Sequence, residues 1–203
     1  AIGVLTEETT EDMQKMAAME ANTEPYLKTS VWKHARHRIV WLLVLMLSAS
    51  ITGAIISKYE AAFAAVPLLV SFIPMLMDTG GNCGSQSSTL IIRGLAVDEL
   101  HFADAAKVIW KELRVALLVG LGLSLVNAGS IMLRYNDPRL AVVVSLSLLC
   151  TVMCAKVTGG LLPIAAKRLG LDPALMAAPL ITTVVDTVSM LIYFTVATML
   201  FGM

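Results

Sequence analysis

The chain has 203 residues, of which 57% are hydrophobic and 15% charged, and its mean hydropathy is +0.78. A soluble domain carries about 25% charged residues; here the apolar residues also cluster into long runs, which excludes a soluble globular protein and indicates an integral membrane protein. Fifteen basic and fifteen acidic residues cancel, so no electrostatic preference for nucleic acid follows.

Residues 1–30 are polar and form a unit distinct from residues 31–203. Thr6 to Glu20 reads as a helix capped by Thr9 or Thr10, with Glu11 and Asp12 suited to its first turn. Met13, Met16 and Ala17 give it one weakly apolar face. Six acids (Glu7, Glu8, Glu11, Asp12, Glu20 and Glu24) stand against Lys15 in residues 1–24, a net of −5. The segment reads either as a solvated linker helix or as an acidic element that meets cations or a basic surface. No signal peptide opens the chain and Ala1 is not an initiator Met, so a piece of a longer protein is expected.

Five hydrophobic segments follow. The first runs from about Val31 to Ser57, and its basic start with Trp32 suits a membrane interface. The second begins near Glu60, reaches Met77 and continues brokenly through Gly80, Gly81 and Asn82 to about Leu95; Pro67 and Pro74 predict kinks. The third runs from about Ala105 to Leu133 and the fourth from about Leu140 to Leu169. The fifth, Pro173 to Phe201, opens with Asp172 as N-cap and Pro173 at the first helical position. Each is long enough to cross a core about 30 Å thick. The expected fold is all-α, with five transmembrane helices per subunit, the second broken at the Gly-Gly-Asn stretch. Eleven Lys and Arg gather on the N-terminal side against three on the other, which puts the N-terminus in the cytoplasm and the C-terminus outside. An odd number of spans without an internal repeat suits a symmetric pathway built from two subunits. Cys83, Cys150 and Cys154 read as buried free thiols, since no His or further Cys is near enough to complete a metal site.

Polar residues stand out against this background. In Pro74 to Thr89, Gly80, Gly81 and Gly84 give up helix propensity, and Asp78, Asn82 and Gln86 are costly in lipid, so protein or a water-filled cavity must surround them. Asp186 is the deeper acid, fourteen residues beyond Asp172, or about 21 Å along a helix. Pro179, Thr182, Thr183, Ser189, Met190 and Tyr193 recur with it at helical spacing. An ionised carboxylate there costs roughly 2.5–3.5 kcal/mol on insertion scales. It reads as a cation-pathway group, as a structural carboxylate paired with Lys156, or as a protonated relay. Pro179 frees the carbonyl of residue 175, and the Thr182 carbonyl would face an ion if the helix were distorted. Oxygen donors without His or Cys suit a hard cation: Mg, Ca or Mn.

Two motifs resemble the MgtE magnesium channel and transporter family: P-x-x-x-D-T-G-G-N-x-G-x-Q over Pro74–Gln86 and D-P-A-x-x-x-A-P-L-I-T-T-x-x-D over Asp172–Asp186. The likeness covers about Trp32 to Phe201, and the residues before it resemble the family's plug helix. The resemblance implies a homodimeric Mg2+-selective channel in the cell membrane, with its pore on the twofold axis between the second and fifth helices. It implies that Asp186 of each subunit recognises hydrated Mg2+, assisted by the Thr182 backbone carbonyl, with Asp172 at the cytoplasmic mouth. Asp78, Gly80, Gly81, Asn82, Gln86 and Thr183 would support the pore. Glu7, Glu8, Glu11 and Asp12 are candidates for a cytoplasmic site, making Mg2+ both transported and regulatory ion. The implied partners are a second copy, the lipid bilayer and cytoplasmic CBS domains outside this chain. The alternative is a proton- or sodium-coupled transporter of divalent cations such as Co2+ or Mn2+. An enzyme is disfavoured, because no nucleophile–His pair or metal-ligand cluster is present in the sequence.

Overall fold

The computed structural model describes residues 10–17, 19–22, 24–176 and 178–202, among which no strand occurs. It begins with a short helix, α1, at residues 10–16. Thr10 is already helical there, and Thr9, Glu7 and Glu8 lie outside the described residues. Ser30 then caps α2 (Val31–Lys58) by accepting the Lys33 N–H at 3.3 Å. Next come α3 (Glu60–Ala65), a 3-10 turn (Pro67–Phe72), α4 (Ile73–Ala96), α5 (Ala105–Tyr135) and α6 (Pro138–Arg168). A further 3-10 turn (Phe102–Asp104) precedes α5, and another (Pro173–Met176) leads into α7 (Ala178–Phe201). Among the described residues, four stretches are long and apolar enough to cross a membrane: Val31–Lys58, Phe102–Tyr135, Pro138–Arg168 and Pro173–Phe201.

α6 sits at the centre, packed against α4, α5 and α7. The α5–α6 hairpin closes on Asn136, which takes the left-handed conformation (φ 50°) that Asn tolerates. Asp137 then caps α6, accepting the N–H groups of Arg139 and Leu140 at 2.9 and 3.1 Å. α2 lies at the periphery against α7, joined by the Thr52 and Thr187 hydroxyls at 2.9 Å. Its Leu42, Leu43, Val44, Met46 and Leu47 are exposed, a surface that water penalises and lipid does not.

The expected break of the second span is corrected. α4 runs unbroken through Gly80, Gly81 and Asn82, and the interruption comes earlier, where Pro67 opens the 3-10 turn. Pro74 falls in the first turn of α4, where its missing N–H costs nothing. The glycines cost about 1 kcal/mol each in helix propensity, but they are buried where helices approach closely. A Cβ on Gly84 would stand 2.6 Å from Ile181 Cγ2, and one on Gly159 of α6 would overlap the Gly84 carbonyl oxygen. In lipid, where apolar burial drives little association, close contact at small residues does this work. The packing that rewards glycine therefore keeps α4 helical.

The interruption itself is anchored from α7. Tyr193 is fully buried and donates its hydroxyl to the Leu69 carbonyl at 2.8 Å. Tyr193→Phe is expected to remove this bond between α7 and the turn and to lower unfolding stability by about 1 kcal/mol, read as a lower thermal midpoint in detergent.

Candidate cation pathway

Four-residue spacing puts Asp78, Asn82 and Gln86 on one face of α4, and all three are exposed. Asn82 Nδ2 donates to Asp78 Oδ2 at 3.1 Å. Ser85 and Thr89 extend the polarity, lining with Asn82, Gln86 and Leu90 a groove of about 670 Å³. The glycines occupy the buried side of the same helix and bring α7 alongside. A Cβ on Gly81 would meet Thr182 Cγ2 at 2.9 Å, and one on Gly80 would meet Val185 Cγ1 at 2.9 Å. Asp186, one turn beyond Thr182, is half-buried and within electrostatic range of Asp78. Neither carboxylate has an ion-pair partner among the described residues.

The structure bears on two alternatives left open for α7. Lys156 does not pair with Asp186; its Nζ donates to Ser87 Oγ at 3.4 Å. Nor is the helix distorted between Thr182 and Asp186, since α7 is continuous over Ala178–Phe201. Pro179 stands in its first turn, where a proline is accommodated without a kink. The Thr182 and Thr183 hydroxyls both donate to the Pro179 carbonyl at 2.9 Å.

At the start of the fifth segment Asp172 performs two tasks. Its Oδ1 accepts the Ala174 N–H at 2.9 Å, and its Oδ2 accepts from Lys15 Nζ at 2.7 Å. Lys15 also reaches Glu11 at 2.6 Å, so α1 is docked by one ammonium between two carboxylates. Asp12 and Asp172 border a neighbouring cavity of about 220 Å³. No three His, Cys, Asp or Glu side chains converge to hold a metal among the described residues. Burial pushes the Asp172 carboxyl up, but hydrogen bonds from Lys15 and the Ala174 N–H outweigh it and hold the group below its ordinary 3.8. The same bond to Asp172, with that to Glu11, holds Lys15 above its ordinary 10.5. Stability carried by Asp172 is therefore full above pH 3.8 and lost as pH falls through its lower folded value. Stability carried by Lys15 is full below pH 10.5 and lost as pH rises through its higher folded value. Spin labels on Met13→Cys and Leu171→Cys, both exposed positions, are expected to keep one separation from about pH 5 to 9. That separation is expected to lengthen in acid below pH 3.8 and again in alkali above pH 10.5.

A family model described as "MgtE: Divalent cation transporter" matches residues 73–196, the span from α4 through Asp186. The chain belongs to the MgtE family. Relatives include the magnesium transporter MgtE of Thermus thermophilus, 39% identical over 201 residues, covering 98% of this chain and 44% of that protein. That of Bacillus subtilis is 34% identical, covering 97% and 43%, and that of Enterococcus faecalis is 30% identical, covering 98% and 43%. The chain thus spans less than half the length of these MgtE relatives.

Within this MgtE domain, the polar contacts that tie α4 to its neighbours were not evident from the sequence. Ser88 Oγ donates to the Met176 carbonyl at 2.8 Å, tying α4 to the turn that precedes α7. Glu112 belongs to none of the motifs singled out in the sequence, yet it is buried on α5 and accepts from Ser87 Oγ at 2.6 Å. The available signal was its four-residue register with Val108, Ala116, Gly120 and Ser124, all of them buried.

Proposed function

We propose that residues 31–203 form the five-span pore domain of a homodimeric, Mg2+-selective MgtE channel, preceded by an acidic plug element in residues 1–30. The observation that carries this reading is the exposed polar face of α4 (Asp78, Asn82 and Gln86), set beside Asp186 among otherwise apolar spans. Such a face is unfavourable against lipid. A twofold copy would enclose it, with α4 completing the set of five spans and two Asp186 carboxylates matching the charge of one divalent ion. Mg2+ sheds water reluctantly, so these carboxylates would accept hydrogen bonds from its hydration shell. The Thr182 carbonyl would add an acceptor through the lone pair left free by the helix, and Thr183 would steady the first turn. The names of the three relatives support Mg2+ as the substrate.

With the N-terminus cytoplasmic, Asp172 stands at the inner mouth. Glu11 and Asp172 already converge on a cation, the Lys15 ammonium. A regulatory Mg2+ gathered there with Glu7, Glu8 and Asp12 would take its place, under control of CBS-type domains elsewhere in the protein. The test is uptake into proteoliposomes with pH and Na+ clamped. Mg2+ is expected to enter on its own gradient in preference to Ca2+, Mn2+ and Co2+. A requirement for a proton or Na+ gradient would replace the channel by a coupled transporter.

A further inference from the structure

Behind the exposed face of α4 lies a polar cluster that the cation pathway does not use. Glu112 on α5 is 9% exposed and Lys156 on α6 is 5% exposed. Ser87 on α4 bridges them, donating to Glu112 Oε2 at 2.6 Å and accepting from Lys156 Nζ at 3.4 Å. Gly160 of α6 faces the Glu112 side chain: a Cβ there would meet Glu112 Cγ at 3.4 Å, an ordinary contact. At 1.5 Å per residue, Glu112 lies about 10 Å from the start of α5, and Lys156 about 18 Å from the end of α6. Each charge alone is costly at such depth, and apolar side chains would pack three helices at less cost. Ser87 adjoins Gln86, so only the width of a helix, about 10 Å, separates the pair from the polar face. Across that distance an uncompensated ammonium repels a divalent ion twice as strongly as a monovalent one.

We propose that Glu112 is a positioning residue of the cation pathway: through Ser87 it fixes the rotation of α4, and it cancels the Lys156 charge behind the Asp78–Asn82–Gln86 face. This rests on the reading of that face as the water-filled path. Glu112 thereby keeps the potential on the path attractive to divalent cations, although it never meets one.

The test uses the full-length protein with Cys83, Cys150 and Cys154 replaced by Ala and Gln86→Cys introduced. Its labelling rates with a cationic and an anionic methanethiosulfonate of similar size are compared. Glu112→Gln is expected to lower the cationic-to-anionic ratio by about threefold or more, and Lys156→Met to raise it. The double variant should return to within about twofold of the parent. In the Gln86 background, half-saturating Mg2+ should rise with Glu112→Gln and not with Lys156→Met. A purely structural pair would shift both single variants in the same direction, which overturns the proposal, as does an unchanged ratio at a reactive position 86. Position 86 inert to both reagents would instead overturn the reading of the face as the path. Should Glu112→Gln be poorly retained in the membrane, the double variant against Lys156→Met alone isolates Glu112, and a lower ratio in the double is the expected result.

Discussion

Asp186→Asn is expected to reduce Mg2+ uptake into proteoliposomes by about a hundredfold, which is about 2.7 kcal/mol of lost stabilisation. The amide keeps the size of the carboxylate, so packing against α4 is preserved and the loss is one of charge. Two unit charges 5 Å apart at an effective dielectric of about 20 interact by about 3 kcal/mol, and a divalent ion doubles this. Part of that attraction is spent on desolvation, so the net figure falls below the Coulomb value. Asp78→Asn should cost only about tenfold, because Asp78 is exposed and already shares its Oδ2 with the Asn82 amide. Fluorescent Mg2+ indicators inside the vesicles read both variants. Selective Mg2+ entry at the wild-type rate in Asp186→Asn would remove Asp186 from the pathway.

Gly159→Ala should be the most damaging single methyl in the domain. The new Cβ would overlap the Gly84 carbonyl oxygen, with the Gly84 carbonyl carbon at 3.0 Å and its Cα at 3.1 Å. Those are backbone atoms in the middle of α4, so no rotamer change relieves the clash and the two helices must separate. Overpacking costs about 1–3 kcal/mol where side chains can give way; about 3 kcal/mol or more is expected here, seen as a fall in thermal midpoint in detergent. Gly122→Ala is the control. Nothing lies within 4 Å of its Cβ, and better helix propensity should leave stability unchanged or raised by up to about 1 kcal/mol. Equal midpoints for the two variants would show that close α4–α6 contact is not what holds the domain together. Separation at Gly159 would also swing the polar face of α4 away from Asp186, so flux should fall with stability.

Much of the architecture was legible because helix formation in lipid is nearly a local affair. Backbone groups must pair within the segment, so long apolar runs predict helices, and α2, α5 and α6 lie within a few residues of the expected limits. The position of Asp186 was legible for a related reason: a charged residue in an apolar helix is visible without knowing its neighbours. The glycine stretch misled for the opposite reason. Propensity counts the cost of Gly80, Gly81 and Gly84 within one helix, while their benefit lies in contacts with Ile181, Thr182 and Val185 of another.

What the amino-acid order determined by itself is the apolar runs that form α2, α5, α6 and α7, the four-residue spacing of Asp78, Asn82 and Gln86, and the isolated carboxylate on α7. Tertiary structure alone decided which groups meet. It set Lys15 against Asp172 across 157 residues, Ser88 against the Met176 carbonyl across 88, and Ser87 against Glu112 across 25. It also drew Lys156 away from Asp186 and toward Ser87. Periodicity assigns a residue to a face of its own helix, but the partner of that face depends on how closely small residues let the helices approach. In this chain that is decided where Gly84 of α4 meets Gly159 of α6.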